Sequence, residues 1–423
     1  MVIQISRIAF LLLIVTYKAL LDMSYLDFIV PVFSYSGFQY IENSVKYFES
    51  WVLFSLAAIF VPHRLCKPSD FLFFIFFVLT ITPMLSMYGL SNQPRVYMYF
   101  CMLIFIIFTL VRATPSLRVP YIKNGNQVAI IISGAFVALS VFKFIVTGAI
   151  WNINFDLAKV YEHREQLGDT LGSGLWGYII PWTSKIFTLV ILSIFLYNKK
   201  YLLALLVVMF QVLLFGITSH KGVALYPIFA IALFMLKDVK YILTYCLLSL
   251  VVLLISCYLA YFIWNYEILA SLFTRRVFFL PSLLNFHYYD FFSKNGHLYL
   301  GHGILSPFVE YIYDIDPKRL IGSTYFGAPD MAANTGFIAT SYMNFGFLGM
   351  IVFGFIAAAI LKLVDGFSEG GKPSWFYISF ISAPYFSLLT SSELLTSLLT
   401  HGLLASLLLA WLTYNRSPQG TSR

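Results

Sequence analysis

Charge is scarce in this chain. Only 11% of its 423 residues are Asp, Glu, Lys or Arg, against 60% hydrophobic residues. A soluble globular protein carries about 25% charged residues, so that class is excluded. Cysteine is also thin: Cys66, Cys101, Cys246 and Cys257 lie in or beside apolar runs without metal-ligand spacing, and neither a disulfide nor a metal site is assigned to them. No internal repeat is visible, and polar residues are rare in mid-span, both of which count against a transporter. What the chain has instead is long apolar runs, 19% aromatic residues and a mean hydropathy of +0.83. Residues 1–423 therefore read as one polytopic membrane domain, with no separate soluble unit.

A chain segment in lipid must satisfy its own backbone, so the apolar runs are expected to be helices and the fold all-α. The hydropathy pattern predicts about twelve spans, beginning near Ile8, Lys46, Phe71, Arg95, Val128, Gly174, Tyr201, Val223, Tyr241, Phe337, Trp375 and Leu394. Lys18 and Asp22 interrupt the first. It lacks a small-residue cleavage site and is expected to be an uncleaved span.

Basic residues fall in alternate connections. Fourteen lie on one face, among them Arg7, Arg64, Lys67, Arg112, Lys123, Lys199, Lys237, Lys362 and Lys372, against five (Lys46, Arg95, Lys159, Arg164 and Lys221) in the shorter loops of the other. The positive-inside rule makes the richer face cytoplasmic and places both termini there. The net charge of +8 is then explained by insertion, and no nucleic-acid partner is needed. Two long segments, 149–173 and 265–335, face outward and hold most of the acidic residues.

Two motif matches are set aside. Gly172-Ser-Gly174-Leu-Trp-Gly177 fits a dinucleotide-binding pattern by letters, but no strand precedes it. Asp314-Ile-Asp316, followed by Pro317, reads as a solvated turn and not as a metal-binding aspartate pair. Lys46 and Glu49 read as a surface pair, and Asn334 and Asn344 as caps or interhelical hydrogen-bonding groups.

The outward segment 265–335 carries the candidate chemistry. Arg275 and Arg276 follow the ninth span, and the run from Phe278 to Asp290 is too apolar for a free loop, so this region is expected to be partly re-entrant or interfacial. The alternative is an aromatic belt in which arginine contacts lipid phosphate. Adjacent guanidinium forks match phosphate oxygens two at a time and suit a diphosphate. His220-Lys221 and Glu162-His163-Arg164-Glu165 bring further charge to that face, and Lys18, Lys143 and Lys185 are expected to snorkel toward it. For a general base the candidates are Asp290, His287, Glu165 and Glu162; the unperturbed pKa of histidine, about 6.5, suits proton transfer near neutrality.

Asn334-Thr335-Gly336-Phe337 with Tyr342-Met343-Asn344-Phe345-Gly346-Phe347-Leu348-Gly349 resembles the segment opening the helix after the large outer loop of Wzy-type O-antigen and oligosaccharide repeat-unit polymerases. Arg276, Pro281 and the cluster Tyr288 to Phe292 also resemble that family, as do the expected span count and the two long loops. The resemblance implies a bacterial inner-membrane glycosyltransferase that joins oligosaccharides carried on undecaprenyl pyrophosphate, at the periplasmic face and without metal, nucleotide sugar or other cofactor. Arg275, Arg276, Arg164, Lys221, Tyr288, Tyr289 and Asn334 would then bind substrate, and a chain-length-determining copolymerase would be a partner besides membrane lipids. One family pairing, arginine with glycine eleven positions on, is absent here: Arg164 meets Leu175, Arg275 meets Phe286 and Arg276 meets His287. An O-antigen ligase and a lipid-linked-oligosaccharide flippase are the competing classes.

Overall fold

A computed structural model describes residues 6–414, apart from 118, 157, 158, 160, 161, 164–169, 173, 304 and 370. The described residues are helical without strands. The helices are α1 (Arg7–Ser36), α2 (Ser44–Ala58), α3 (Pro68–Leu90), α4 (Arg95–Ala113), α5 (Gly125–Val146), α6 (Trp176–Tyr197), α7 (Tyr201–Thr218), α8 (Lys221–Met235) and α9 (Ile242–Trp264). They continue with α10 (residues 267–295), α11 (Pro317–Phe326), α12 (Phe337–Ser368), α13 (Ser374–Thr390), α14 (Leu394–Leu399) and α15 (Leu403–Leu412).

Eight of these are long and apolar enough to cross a membrane: α1, α3, α4, α5, α6, α7, α9 and α12. The protein is thus polytopic, but the expectation of twelve full spans is not met by length. At 15, 15 and 17 residues, α2, α8 and α13 fall short, and the last expected span is broken into α14 and α15 at Gly402, whose φ of +78° stops the helix. Between α9 and α12, the 265–335 segment is no open loop, since it folds into α10 and α11.

The core is aromatic. α3 is its axis: Phe73, Phe76, Phe77, Leu85 and Tyr88 have no exposed surface, so a helix apolar all round is enclosed by its neighbours. α12 packs on α4 and α10, α2 on α3, α1 on α9, and α6 on α7. Three wide π turns end two residues before a proline: Tyr25–Ile29 before Pro31, Phe77–Ile81 before Pro83, and Ala270–Phe279 before Pro281. Proline has no N–H for the carbonyl four residues back and its ring crowds that carbonyl; the i→i+5 turn relieves both.

Lys18 does not snorkel. Its ammonium is fully buried, 2.9 Å from Asp22 and 4.5 Å from the ring centre of Trp51, while Tyr47 donates to Asp22 at 3.3 Å. A buried cation in lipid-facing helices needs this carboxylate and these ring faces. Nor do Lys46 and Glu49 pair: Lys46 donates to the carbonyls of Asn92 and Gln93, and Glu49 takes Arg95 at 2.9 Å and Tyr88 at 2.6 Å.

Connections carrying several of these basic residues meet at one end of the bundle. Arg112 pairs with Asp70 at 2.6 Å and Lys67 with Asp365 at 3.2 Å. Ser69 donates to both oxygens of Asp365, and Lys362 donates to the carbonyls of Arg112 and Thr114. These cations close helix ends, where carbonyls lack intrahelical partners.

Candidate functional site

The opposite end is built around α10 and α11. The ten-residue π stretch that precedes Pro281 carries Arg275 and Arg276, and a regular helix, Leu280–Asn295, follows. Arg275 donates to Ser36 at 3.0 Å and lies 4.7 Å from the ring centre of Phe33; Arg276 is exposed. Nε of Arg275 is buried without a hydrogen-bond partner among the described residues. Burial holds the Arg275 guanidinium below its ordinary pKa, and neighbouring Arg276 adds to this.

Further along α10, His287 stacks on Tyr325 of α11 with ring centres 4.2 Å apart, and Phe326 meets its edge. Burial pushes its pKa down to about 4 although Asp290 opposes this, so the ring is neutral at neutral pH. Gly37 packs beside the ring: a Cβ there would make ordinary contact, 3.5 Å from Nε2 of His287, and it is the φ of +85° that favours glycine. The turn that holds Arg275 through Ser36 thus also covers His287. Asp290 accepts from Tyr325 at 2.6 Å and pairs with Lys294 at 2.7 Å. Partial burial raises the Asp290 pKa, but those two partners outweigh it and hold the carboxyl below its usual range.

On its other side α10 presents Tyr288 to a cavity of about 530 Å³. Its walls include His302, Asp316, Lys318, Asn334, Glu393 and His401. His302 donates from Nε2 to Oε1 of Glu393 at 2.8 Å, and its Nδ1 is buried without a hydrogen-bond partner among the described residues. A carboxylate accepts only, so the contact sets the neutral His302 tautomer to Nε2–H. Tyr288 donates to the Ala333 carbonyl at 3.0 Å, which fixes the strand of chain leading to Asn334. Burial, with Lys185 nearby, pushes His401 down to about 4.

α12 enters this region broken. Gly346 has φ +61° and ψ −149°, and a Cβ there would lie 2.8 Å from Nε2 of His297. The carbonyls of Met343 and Asn344 accept instead from Leu298 and Tyr299, and the Asn344 side chain accepts from the Leu300 N–H, each at 3.0 Å. The 297–300 stretch is therefore docked into the α12 break, about 12 Å along the axis from Phe337.

The sequence-derived residues separate accordingly. Arg275, His287 and Asp290 share one flank of α10; Tyr288 and Asn334 reach the cavity. Tyr289 packs among Tyr97, Tyr342 and Phe347. Lys221 heads α8 beside another cavity, and His163 is buried between Ser219 and the Asn152 carbonyl with exposed Glu162 beside it. Arg164 and Glu165 lie outside the described residues. His302, Glu393 and His401 were not singled out from sequence, and Asp316 was read as a solvated turn; the one available signal is that Glu393 is the sole acidic residue between the last two apolar runs. Compared with known proteins, the chain matches no family model, no curated protein and no solved structure.

Proposed function

We propose that the protein is a metal-independent glycosyltransferase that polymerises undecaprenyl-pyrophosphate-linked oligosaccharide units into O-antigen or a related surface polysaccharide. It would act at the periplasmic face of a bacterial inner membrane, with the basic helix ends and both termini in the cytoplasm. The observation that supports this reading is the His302–Glu393 pair on a roomy polar cavity at the end opposite the basic one. Its residue-level basis remains the resemblance of the Asn334–Gly349 region to Wzy-type polymerases.

In this reaction a hydroxyl of the incoming unit attacks the anomeric carbon of the growing chain. A new C–O bond forms, the bond to the lipid pyrophosphate breaks, and its electron pair leaves with the pyrophosphate. Glu393 takes the hydroxyl proton, oriented by the His302 N–H, a contribution of about 10²–10⁴ in rate. This moves the base from Asp290, already engaged by Lys294 and Tyr325, and from His287, stacked under Tyr325. Lys318, on the wall of the same cavity, stabilises the departing charge, whereas Arg275 lies on the other flank of α10. The α12 break supports an enzyme over a flippase, because the chain's own 297–300 stretch fills it.

The test is to incubate the purified protein with one defined undecaprenyl-pyrophosphate oligosaccharide and resolve the products on a gel. A ladder of lengthened chains is expected. Failure with a proven cognate substrate overturns the polymerase, and sugar transfer only when a lipid A core acceptor is added would make it the ligase.

A further inference from the structure

A second cavity, of about 300 Å³, lies between α6 and α8. Its lining is mostly apolar, with Trp176, Ile180, Pro181 and Val223, and Lys185 enters it from α6. Lys185 is partly buried and makes no ion pair or hydrogen bond with any described residue. It sits within the π turn Thr183–Phe187, a widening of the sort that recurs at functional sites. Its counterpart Lys18, in α1, shows what this fold does with a structural cation: it supplies a carboxylate and ring faces. Around Lys185 no carboxylate of a described residue stands within ion-pair distance.

The cavity is held open by specific contacts. Gln211 of α7 donates to the carbonyls of Ser184 at 2.6 Å and Val223 at 3.2 Å, tying α6 to α8 behind it. Gly172 lays its carbonyl against Gly177, where a Cβ would stand 2.7 Å away, so these two of the three glycines in the discarded pattern serve to close this wall. Leu225 and Ile228 are exposed on α8, so the cavity is at the lipid-facing margin of the bundle. A burial-ready ammonium among apolar walls suits an anion that brings its own apolar tail.

We infer that the α6–α8 cavity binds a lipid-borne phosphate, with its headgroup on Lys185 and the first part of its chain along Trp176, Ile180 and Val223. Lys185 also lies within electrostatic reach of His401, which lines the His302–Glu393 cavity, and Trp182 of α6 donates to the neighbouring Thr400 carbonyl at 2.7 Å. A phosphate held there stands beside the proposed reaction site, as a second lipid-linked substrate would. That placement rests on the function proposed above; the binding does not, and it is measured without turnover.

Farnesyl phosphate is titrated into the full-length protein in neutral detergent, with farnesol and inorganic phosphate as separate arms, and binding is read by calorimetry. Farnesyl phosphate is expected to bind, with Lys185→Met weakening it about ten- to a hundredfold and Lys185→Arg retaining most of it. Equal binding by Lys185→Met, or by farnesol, overturns the inference; inorganic phosphate binding as tightly assigns the site to a soluble anion and overturns the lipid source. Should Lys185→Met fail to fold, a farnesyl phosphate carrying a diazirine on its first isoprene unit is crosslinked to the parent protein. Label within 171–185 and 218–226 supports the site, and label confined elsewhere overturns it.

Discussion

The two ends of the bundle handle charge in opposite ways. At the basic end, Lys67, Asp70, Arg112 and Asp365 engage one another and Lys362 takes helix-end carbonyls, so these charges have a structural task. At the other end Arg275, His287 and His302 each keep a buried nitrogen without a hydrogen-bond partner among the described residues, and Glu393, Asp316, Lys318 and His401 line open space. Both ends are rich in ionisable groups, so abundance does not distinguish anchoring from chemistry. Saturation does: an unsatisfied buried donor or acceptor costs about 1–3 kcal/mol, and a fold keeps several of them together where a ligand can meet them.

The sharpest way to break this comparison is to exchange one carboxylate at each end for its amide. Glu393→Gln is expected to lower the rate of chain extension by about 10²–10⁴ while the melting temperature holds; an unchanged rate would remove Glu393 from the chemistry. Asp365→Asn leaves Lys67 and Ser69 poorly matched at a buried helix end and is expected to cost about 3–5 kcal/mol, read as a lower melting temperature in detergent. If Asp365→Asn melts like the parent, the basic end is not held by its charges.

Acid should distinguish the ends further. His287 is neutral in the fold with its pKa near 4, whereas the unfolded chain takes a proton near 6.5. Its contribution is thus full above about pH 6.5 and is lost as pH falls toward 4, by up to about 3 kcal/mol. His287→Gln should flatten that part of the stability profile; an unaltered profile would show His287 already solvated. The smallest expected effect is that of Gly346→Ala, about 1–3 kcal/mol from a strained φ and the push of its Cβ on His297. Faster amide exchange at Leu298 and Tyr299 would confirm that the break and the docked segment depend on each other.

Much of the architecture was legible in the apolar runs, since every expected span start lies in a helix or within two residues of one. The span count was not, because hydropathy measures apolar length and cannot see that α3 is enclosed or that Gly402 divides the last run. Of the site, Arg275, His287 and Asp290 were legible because they lie on one helix within a segment too apolar for a loop. The His302–Glu393 pair was not: its members are 91 positions apart, and nothing local to Ser391-Ser392-Glu393 points to a histidine.

By itself, then, the sequence determined a membrane-embedded helical chain with its basic connections gathered at one end, because hydropathy and charge are properties of consecutive residues. Which buried charges are paired and which face cavities was decided only by the tertiary structure. Lys18 and Lys185 are both lysines in apolar helices, and what separates them among the described residues is that packing brings a carboxylate to the ammonium of Lys18 and a cavity to that of Lys185.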